Sequence, residues 1–457
     1  MMRTMNRVLP RLRRGVLGVL MAAVLAAPAA AQTPQAEAAR QIGAWLRLMD
    51  EGQYAESWRQ LATPVRGLAP AETWEATVRQ ARAPYPGTVR GRSVEVAEPM
   101  AQPPGAPAGE YARLRYLTAF SGGTSARETV MALKEGDAWR AVGYFIAPGE
   151  RPDYGAPADA PYTAEQVAVP TPAGHTLAGT FTLPKDAAGR VPAVVLITGS
   201  GSQDRDSGIP GITGYRFFRQ IADSLSRRGI AVLRLDDRGW GASGGDASRA
   251  TTADLADDTR AAVAWLRARA EVDSARIGLV GHSEGGIIAP MVAADDARIA
   301  AVALLAGQGW TGRRTSDYQL RRAWTGMGMS EARMDSMKAI NDPLREQQAA
   351  QVPWVRFWMD FDPAPTLRRV RVPALVLQGG TDWQVAPEQA DAIAAALREG
   401  GNRDVTVRLF PGLNHLFLAD PAGTPDPSTY ATLPSRQVPA EVLGALADWL
   451  AERLRAP

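Results

Sequence analysis

The chain has 457 residues, 46% of them hydrophobic and 22% charged, the balance of an ordinary globular protein with room for two or three domains. It contains no cysteine, which excludes disulfides, thiolate catalysis and cysteine-based metal sites. The formal net charge is +3, but residues 1–31 hold five arginines and no acid, so without them the 51 basic and 48 acidic residues balance to −2, and nothing points to nucleic acid or to an anionic membrane surface.

Those first 31 residues have the form of a secretory signal. Arg3, Arg7, Arg11, Arg13 and Arg14 precede an apolar run, residues 16–27, that is too short to span a bilayer comfortably, and Ala29-Ala30-Ala31 forms an A-x-A cleavage site. The expected mature protein begins at Gln32, is periplasmic or secreted, and keeps no integral membrane segment after cleavage.

Residues 32–148 are expected to form a small α+β domain. Helical spacing over residues 36–49 puts Ile42, Trp45, Leu46 and Met49 on one face, and residues 54–61 and 71–82 continue as short helices. Strands follow over residues 89–97, 111–120, 129–134 and 139–146, with a Pro-rich loop at 99–107. This region resembles a family of bacterial secreted domains of unknown function. The resemblance rests on Trp45-Leu46, Asp50, Tyr54, Ser57-Trp58, Trp74, Gly109-Glu110-Tyr111, Tyr116, Phe120, Glu128, Trp139-Arg140 and Gly143-Tyr144. It implies no chemistry, and the aromatics are assigned to the core. Residues 149–162, rich in Pro, Ala, Gly and Asp, read as a linker.

From residue 163 to 457 the pattern changes. A hairpin over 165–169 and 176–183 leads into alternating strands and helices: strands at 193–197, 230–235, 301–305, 374–377 and 405–409, and helices at 215–228, 255–269, 387–398 and 440–455. Such alternation predicts a mostly parallel, doubly wound sheet covered on both faces. It stops between about 310 and 369, a stretch rich in Trp, Met and Arg that is too long for a plain loop and sits where a helical lid would be inserted.

The chemistry centres on residues 277–294. A short apolar strand runs into Gly281-His282-Ser283-Glu284-Gly285, and a helix follows. This is the G-x-S-x-G nucleophile elbow, a turn that exposes Ser283 at a sheet edge and a helix N-terminus. A serine hydroxyl needs a base, and the chain has three histidines. His282 points away from its neighbour's hydroxyl and His175 lies in an early turn, which leaves His415, in the loop after a buried strand. Asp382 follows the preceding strand and opens at the same sheet edge, whereas the rivals Asp360 and Asp362 fall in the insertion. The order Ser283, Asp382, His415 is that of α/β-hydrolases. The backbone N–H groups of Glu284 and of Ser200, with Gly201 close behind, are the expected oxyanion donors, and Asp204, Arg205 and Asp206 are expected to tie the Ser200 loop down.

With those residues assigned, residues 163–457 resemble the α/β-hydrolases of the secreted esterase and serine-aminopeptidase-like group. Further matching features are Asp236-Asp237-Arg238-Gly239-Trp240-Gly241-Ala242-Ser243, Gly379-Gly380-Thr381-Asp382 and Gly412-Leu413-Asn414-His415. The resemblance implies a small-molecule ester substrate with a short to medium acyl chain. No cofactor and no metal is expected, because the Gly199-Ser200-Gly201 loop after its strand carries neither Walker A nor G-x-G-x-x-G, and His282 and His415 show no metal-ligand spacing. An aminopeptidase or acyl-peptide hydrolase using the same triad is the alternative, and Glu331, Asp335 and Glu346 in the lid are available to grip a free amine. A binding protein attached to a dead hydrolase is disfavoured by the intact triad. The lid aromatics Trp310, Trp324, Trp354, Phe357, Trp358 and Phe361, with Met327 and Met329, are divided between packing and an apolar acyl pocket, to which Trp354 and Trp358 are assigned.

Overall fold

The computed structural model describes residues 34–455 except 69, 104–105, 122–123, 150–152, 186, 210–211, 213 and 248; the signal expected at residues 1–31 lies outside them. The chain forms two compact units that divide between residues 151 and 152.

The first unit opens with helices α1 (Pro34–Asp50), α2 (Tyr54–Arg59), α3 (Thr63–Arg66) and α4 (Ala71–Arg82). An antiparallel meander follows in the order β1 (Val89–Met100), β2 (Tyr111–Phe120), β3 (Ser125–Glu135) and β4 (Ala138–Pro148). Ile42, Trp45, Leu46 and Met49 of α1 are buried with Leu114, Tyr116, Val130 and Trp139 of the sheet, as their i, i+3, i+4, i+7 spacing requires. The Trp45 and Trp74 indoles both donate to Ser57, so these aromatics pack the core.

Four charges are buried with them. The Arg82 guanidinium at the end of α4 donates to Asp50 at 2.6 Å and to Glu128 at 2.9 Å. Arg92 of β1 spans the same two carboxylates at 2.8 and 2.7 Å. Thr118 and Tyr144 add hydroxyls to Glu128, which is fully buried.

The second unit is an eight-stranded sheet. Its strands in chain order are β5 (Tyr162–Pro170), β6 (Thr176–Pro184), β7 (Val191–Ile197), β8 (Ala231–Leu235), β9 (Val272–His282), β10 (Ile299–Leu305), β11 (Ala374–Gly379) and β12 (Val405–Phe410). They lie side by side as β12-β11-β10-β9-β7-β8-β6-β5. From β8 to β12 every pairing is parallel, and β6 is antiparallel to both β5 and β8. On one face lie α5 (Phe217–Ser226) and α13 (Ala440–Arg453); on the other lie α6 (Thr252–Ala268), α7 (Gly285–Asp295) and α12 (Gln389–Glu399). The central strands β7 and β10 are apolar along their whole length because helices cover both of their faces.

Three expectations need adjustment. Residues 153–162, read as linker, are docked on the second unit: the Asp153 carbonyl accepts from Arg216 and Arg219, the Tyr154 ring lies 4.4 Å beneath the Arg205 guanidinium, and Tyr162 opens β5. The helix expected from residue 215 starts at Phe217, and Tyr215 is buried before it with its hydroxyl 3.0 Å from the Leu416 carbonyl. The insertion holds α8 (Gly312–Gly326), α9 (Glu331–Gln351), α10 (Pro353–Asp360) and α11 (Pro363–Leu367), but α11 packs on α7 and α12 with Leu367 buried, so the lid proper is α8 to α10. Among the described residues no helix is long and apolar enough to cross a membrane.

Candidate active site

Strand β9 lies in the middle of the sheet and ends at His282. Ser283 then takes a φ of 55°, in the left-handed region that non-glycine residues seldom occupy, and α7 begins two residues later. The turn is fixed by Ser283 N donating to Leu305 O and Gly286 N donating to Ser283 O, both at 2.9 Å. Its glycines are steric necessities. A Cβ at Gly281 would stand 1.9 Å from the Gly285 carbonyl oxygen, and one at Gly285 would stand 2.3 Å from that of Ile197.

The ends of β11 and β12 converge beside each other at the same edge. A Cβ on Gly379 would meet the Leu413 and Asn414 carbonyls at 2.5 Å, so only glycine lets the two loops approach. Asn414, fully buried, accepts the Leu416 and Leu418 N–H groups and shapes the loop that carries His415. His415 Nδ1 lies 2.8 Å from Asp382 Oδ2. That carboxylate also accepts from Gln378 Nε2 and from the Gln384 and Val385 N–H groups, which fix its orientation. With a carboxylate at Nδ1 the proton belongs there, leaving Nε2 of His415 as the basic nitrogen. Among the described residues no hydrogen bond joins Ser283 Oγ to His415 Nε2; such bonds are often long in ligand-free enzymes and tighten with substrate.

The other candidates serve structure. His282 is buried edge-on to Phe217, and its Nε2 donates to the His415 carbonyl at 2.9 Å. Burial, with His415 close by, pushes its pKa down to about 3, so it stays neutral and props the His415 loop. His175 bonds Asp258, which Arg238 also holds. Asp360 pairs with Arg313, and Asp362 caps α11 through the Ala364 N–H.

The loop after β7 passes close to Ser283, where a Cβ on Gly199 would lie 3.0 Å from the Ser283 Cβ. Its far end is anchored as expected. Asp204 accepts the Asp206 and Gly208 N–H groups, Arg205 forks onto Asp236, and Asp206 pairs with Arg216 and Arg234. Among the described residues the Ser200 and Glu284 N–H groups donate to no other backbone group. Beneath the loop, Asp237 accepts from the Thr198 hydroxyl and the Gln203 N–H. Burial pushes its pKa up to about 8, against those two hydrogen bonds.

Sequence reasoning assigned Glu284 only a backbone role and missed its side chain. The carboxyl is fully buried; Oε1 accepts from Thr252 Oγ1 and Trp354 Nε1, each at 2.7 Å. Burial raises its pKa, while Thr252, Trp354 and Ser200 pull the other way. The lid indoles of Trp354 and Trp358 are stacked, 5.7 Å apart and 8° from parallel, and Trp358 Nε1 reaches Gln308 at 2.9 Å. Phe357 stacks on Phe361, Trp324 is buried, Trp310 lies under Arg314, and Met327 is 71% exposed at the C-terminal end of α8. No cluster of three or more metal-binding side chains occurs among the described residues.

A sheet in this order, with a serine turn after its fifth strand, is the α/β-hydrolase fold, and the second unit has it. Residues 211–422 match the family model for serine aminopeptidase S33, and residues 41–144 match that for a protein of unknown function (DUF4019). Esterase EstD of Thermotoga maritima is 27% identical over 282 residues, which is 60% of this chain and 65% of the esterase, just under two thirds of that relative. An uncharacterized protein of Mycobacterium tuberculosis is 28% identical over 54% of this chain and 71% of its own length. Among solved structures, an esterase of Pyrococcus furiosus aligns over 66% of this chain and 94% of its own, with 17% identity and a TM-score of 0.45. The protein thus joins an esterase-like α/β-hydrolase to an N-terminal domain of unknown function.

Proposed function

We propose that the protein is an exported serine hydrolase that cleaves carboxylic esters of short to medium acyl chains through an acyl-enzyme. The observation that carries this reading is the left-handed turn at Ser283 at the end of β9, with the His415–Asp382 pair at the ends of β12 and β11 on the same sheet edge. In this scheme Ser283 Oγ attacks the ester carbonyl while its proton passes to His415 Nε2, and Asp382 holds Nδ1–H and stabilises the imidazolium. The oxyanion faces the Glu284 and Ser200 N–H groups. Collapse expels the alcohol, which takes the proton from His415, and water repeats the sequence on the acyl-enzyme.

Trp354 and Trp358 supply an apolar wall for the acyl chain, each methylene contributing about 0.8 kcal/mol until the pocket is full. The similarity to an esterase supports ester cleavage. The aminopeptidase reading is favoured by the matched family but has less support in the lid: Glu331 and Glu346 are engaged by Arg321 and Arg313, and Asp335 faces solvent. Purified protein should turn over p-nitrophenyl esters with an optimum at short to medium chains and aminoacyl arylamides more slowly. Arylamides cleaved faster than every ester would replace the esterase reading with the aminopeptidase one. Export is checked by mass spectrometry of the periplasmic protein, where Gln32 is the expected N-terminus and an intact Met1 or Met2 in a soluble cytoplasmic pool would refute it.

A further inference from the structure

Next to the nucleophile stands a carboxyl that the scheme above does not use. Glu284 is completely buried, and no hydrogen bond to a cation reaches it among the described residues: its Oε1 accepts from the hydroxyl of Thr252 on α6 and the indole N–H of Trp354 on lid helix α10, and the Ser200 side chain also favours its charged form. A second oxygen, Oε2, is buried with no hydrogen-bond partner among the described residues. A buried acid without a counter-ion is costly to keep, so its retention beside a reacting serine calls for a reason.

The three groups joined by this carboxyl come from three different parts of the unit. Glu284 sits on the elbow, and its own backbone N–H is one of the two donors expected to face the oxyanion. Thr252 opens α6, whose Thr251–Asp254 capping box makes it a rigid abutment. Trp354 belongs to the lid, where it is stacked on Trp358, itself tied to Gln308. Among the described residues these two indole bonds are the only hydrogen bonds that α10 makes to the elbow or to the loop after β10.

We propose, resting on the hydrolase reading, that Glu284 is a positioning residue that links lid to oxyanion site. By holding Trp354 against Thr252, its side chain sets the direction of its own backbone N–H, so stabilisation of the oxyanion depends on the lid being seated. The consequence is a form of chain-length selection. An acyl chain long enough to lift Trp354 loses oxyanion stabilisation as well as contact, and its penalty falls on kcat and not on KM alone. Burial, which favours the neutral carboxylic acid at Glu284, is consistent with an acid working as a hydrogen-bonding clip instead of a charge.

The test uses the full chain and two readouts. On the acetyl ester, Trp354→Phe, which removes the indole N–H donor and keeps a smaller aromatic ring, should lower kcat on the order of tenfold with KM little changed. Glu284→Leu should do the same, and the double variant should be no worse than Glu284→Leu alone, since directly bonded partners do not act additively. Glu284→Gln, which keeps the acceptor, should recover most of the loss. Independently of activity, limited proteolysis should cut residues 312–360 at least several-fold faster in Glu284→Leu and Trp354→Phe, but not in Glu284→Gln. Unchanged kcat in Trp354→Phe, or independent multiplication of the two single effects, or unchanged lid proteolysis, overturns the proposal; Trp354→Phe and Glu284→Gln decide it if Glu284→Leu does not fold. An active Ser283→Ala variant would instead defeat the hydrolase reading, and proteolysis would still decide whether Glu284 clips the lid.

Discussion

Two pairs of acids, one pair in each unit, are treated in opposite ways. In the first unit, Asp50 and Glu128 are matched by Arg82 and Arg92, and every carboxylate is bridged by both guanidiniums. In the second unit, Asp237 and Glu284 receive hydroxyl, indole and backbone donors, and among the described residues neither carries a salt bridge. The charge-balanced ring ties α1, α4 and the meander together. Acids held by neutral donors keep proton affinity and lie next to a serine in a forced turn. The difference separates acids neutralised by partner charges from acids that burial holds toward the neutral form.

That contrast can be broken by experiment. The largest effect is expected from Ser283→Ala or His415→Ala, each lowering kcat by several orders of magnitude, up to about 10⁶-fold, with the unfolding transition unmoved. Asp382→Asn should cost about 10³–10⁴-fold, because the amide presents the wrong hydrogen-bonding pattern to His415 Nδ1. In the first unit the effect should appear in stability. Glu128→Ala strands two buried guanidiniums with one carboxylate and should destabilise that unit by roughly 3–5 kcal/mol in chemical denaturation. An unchanged transition would show that the ring is not what holds the unit together.

The last effect concerns pH. The Asp237 carboxyl titrates at about 8 in the folded protein against an ordinary value of 3.8. Between those values the folded state binds the extra proton, so Asp237 makes stability fall as pH rises from about 4 to 8 and contributes no further slope above 8. Asp237→Asn should flatten this part of the profile, measured as denaturation midpoint against pH. An unaltered profile would assign the slope to other groups.

The parts of the site that could be read in the sequence are those in which geometry forces residue type. Gly281 and Gly285 cannot be anything else in that turn, so the elbow shows in five letters. With three histidines to choose from, strand order sufficed to single out His415 and Asp382, which the fold brings to 2.8 Å. What stayed hidden depends on contacts between distant residues. Glu284 and Trp354 are 70 positions apart, and nothing local marks either as a partner. Arg79 and Arg82 look alike at the end of α4, yet Arg79 pairs with Glu75 at the surface and Arg82 enters the core. Met327 reads as an apolar lid residue for packing or pocket and instead faces solvent at the C-terminal end of α8.

The backbone angle at Ser283 also limits which nucleophiles this position could ever have hosted. At a φ of 55° a side chain branched at Cβ collides with its own backbone, while an unbranched one is merely strained. Cysteine or aspartate could therefore inherit the turn, and with it a thiol or carboxylate chemistry, by a single substitution. Threonine, chemically the nearest relative of serine, could not. The chemical future of the site is thus narrowed by one torsion angle before any question of base or substrate arises.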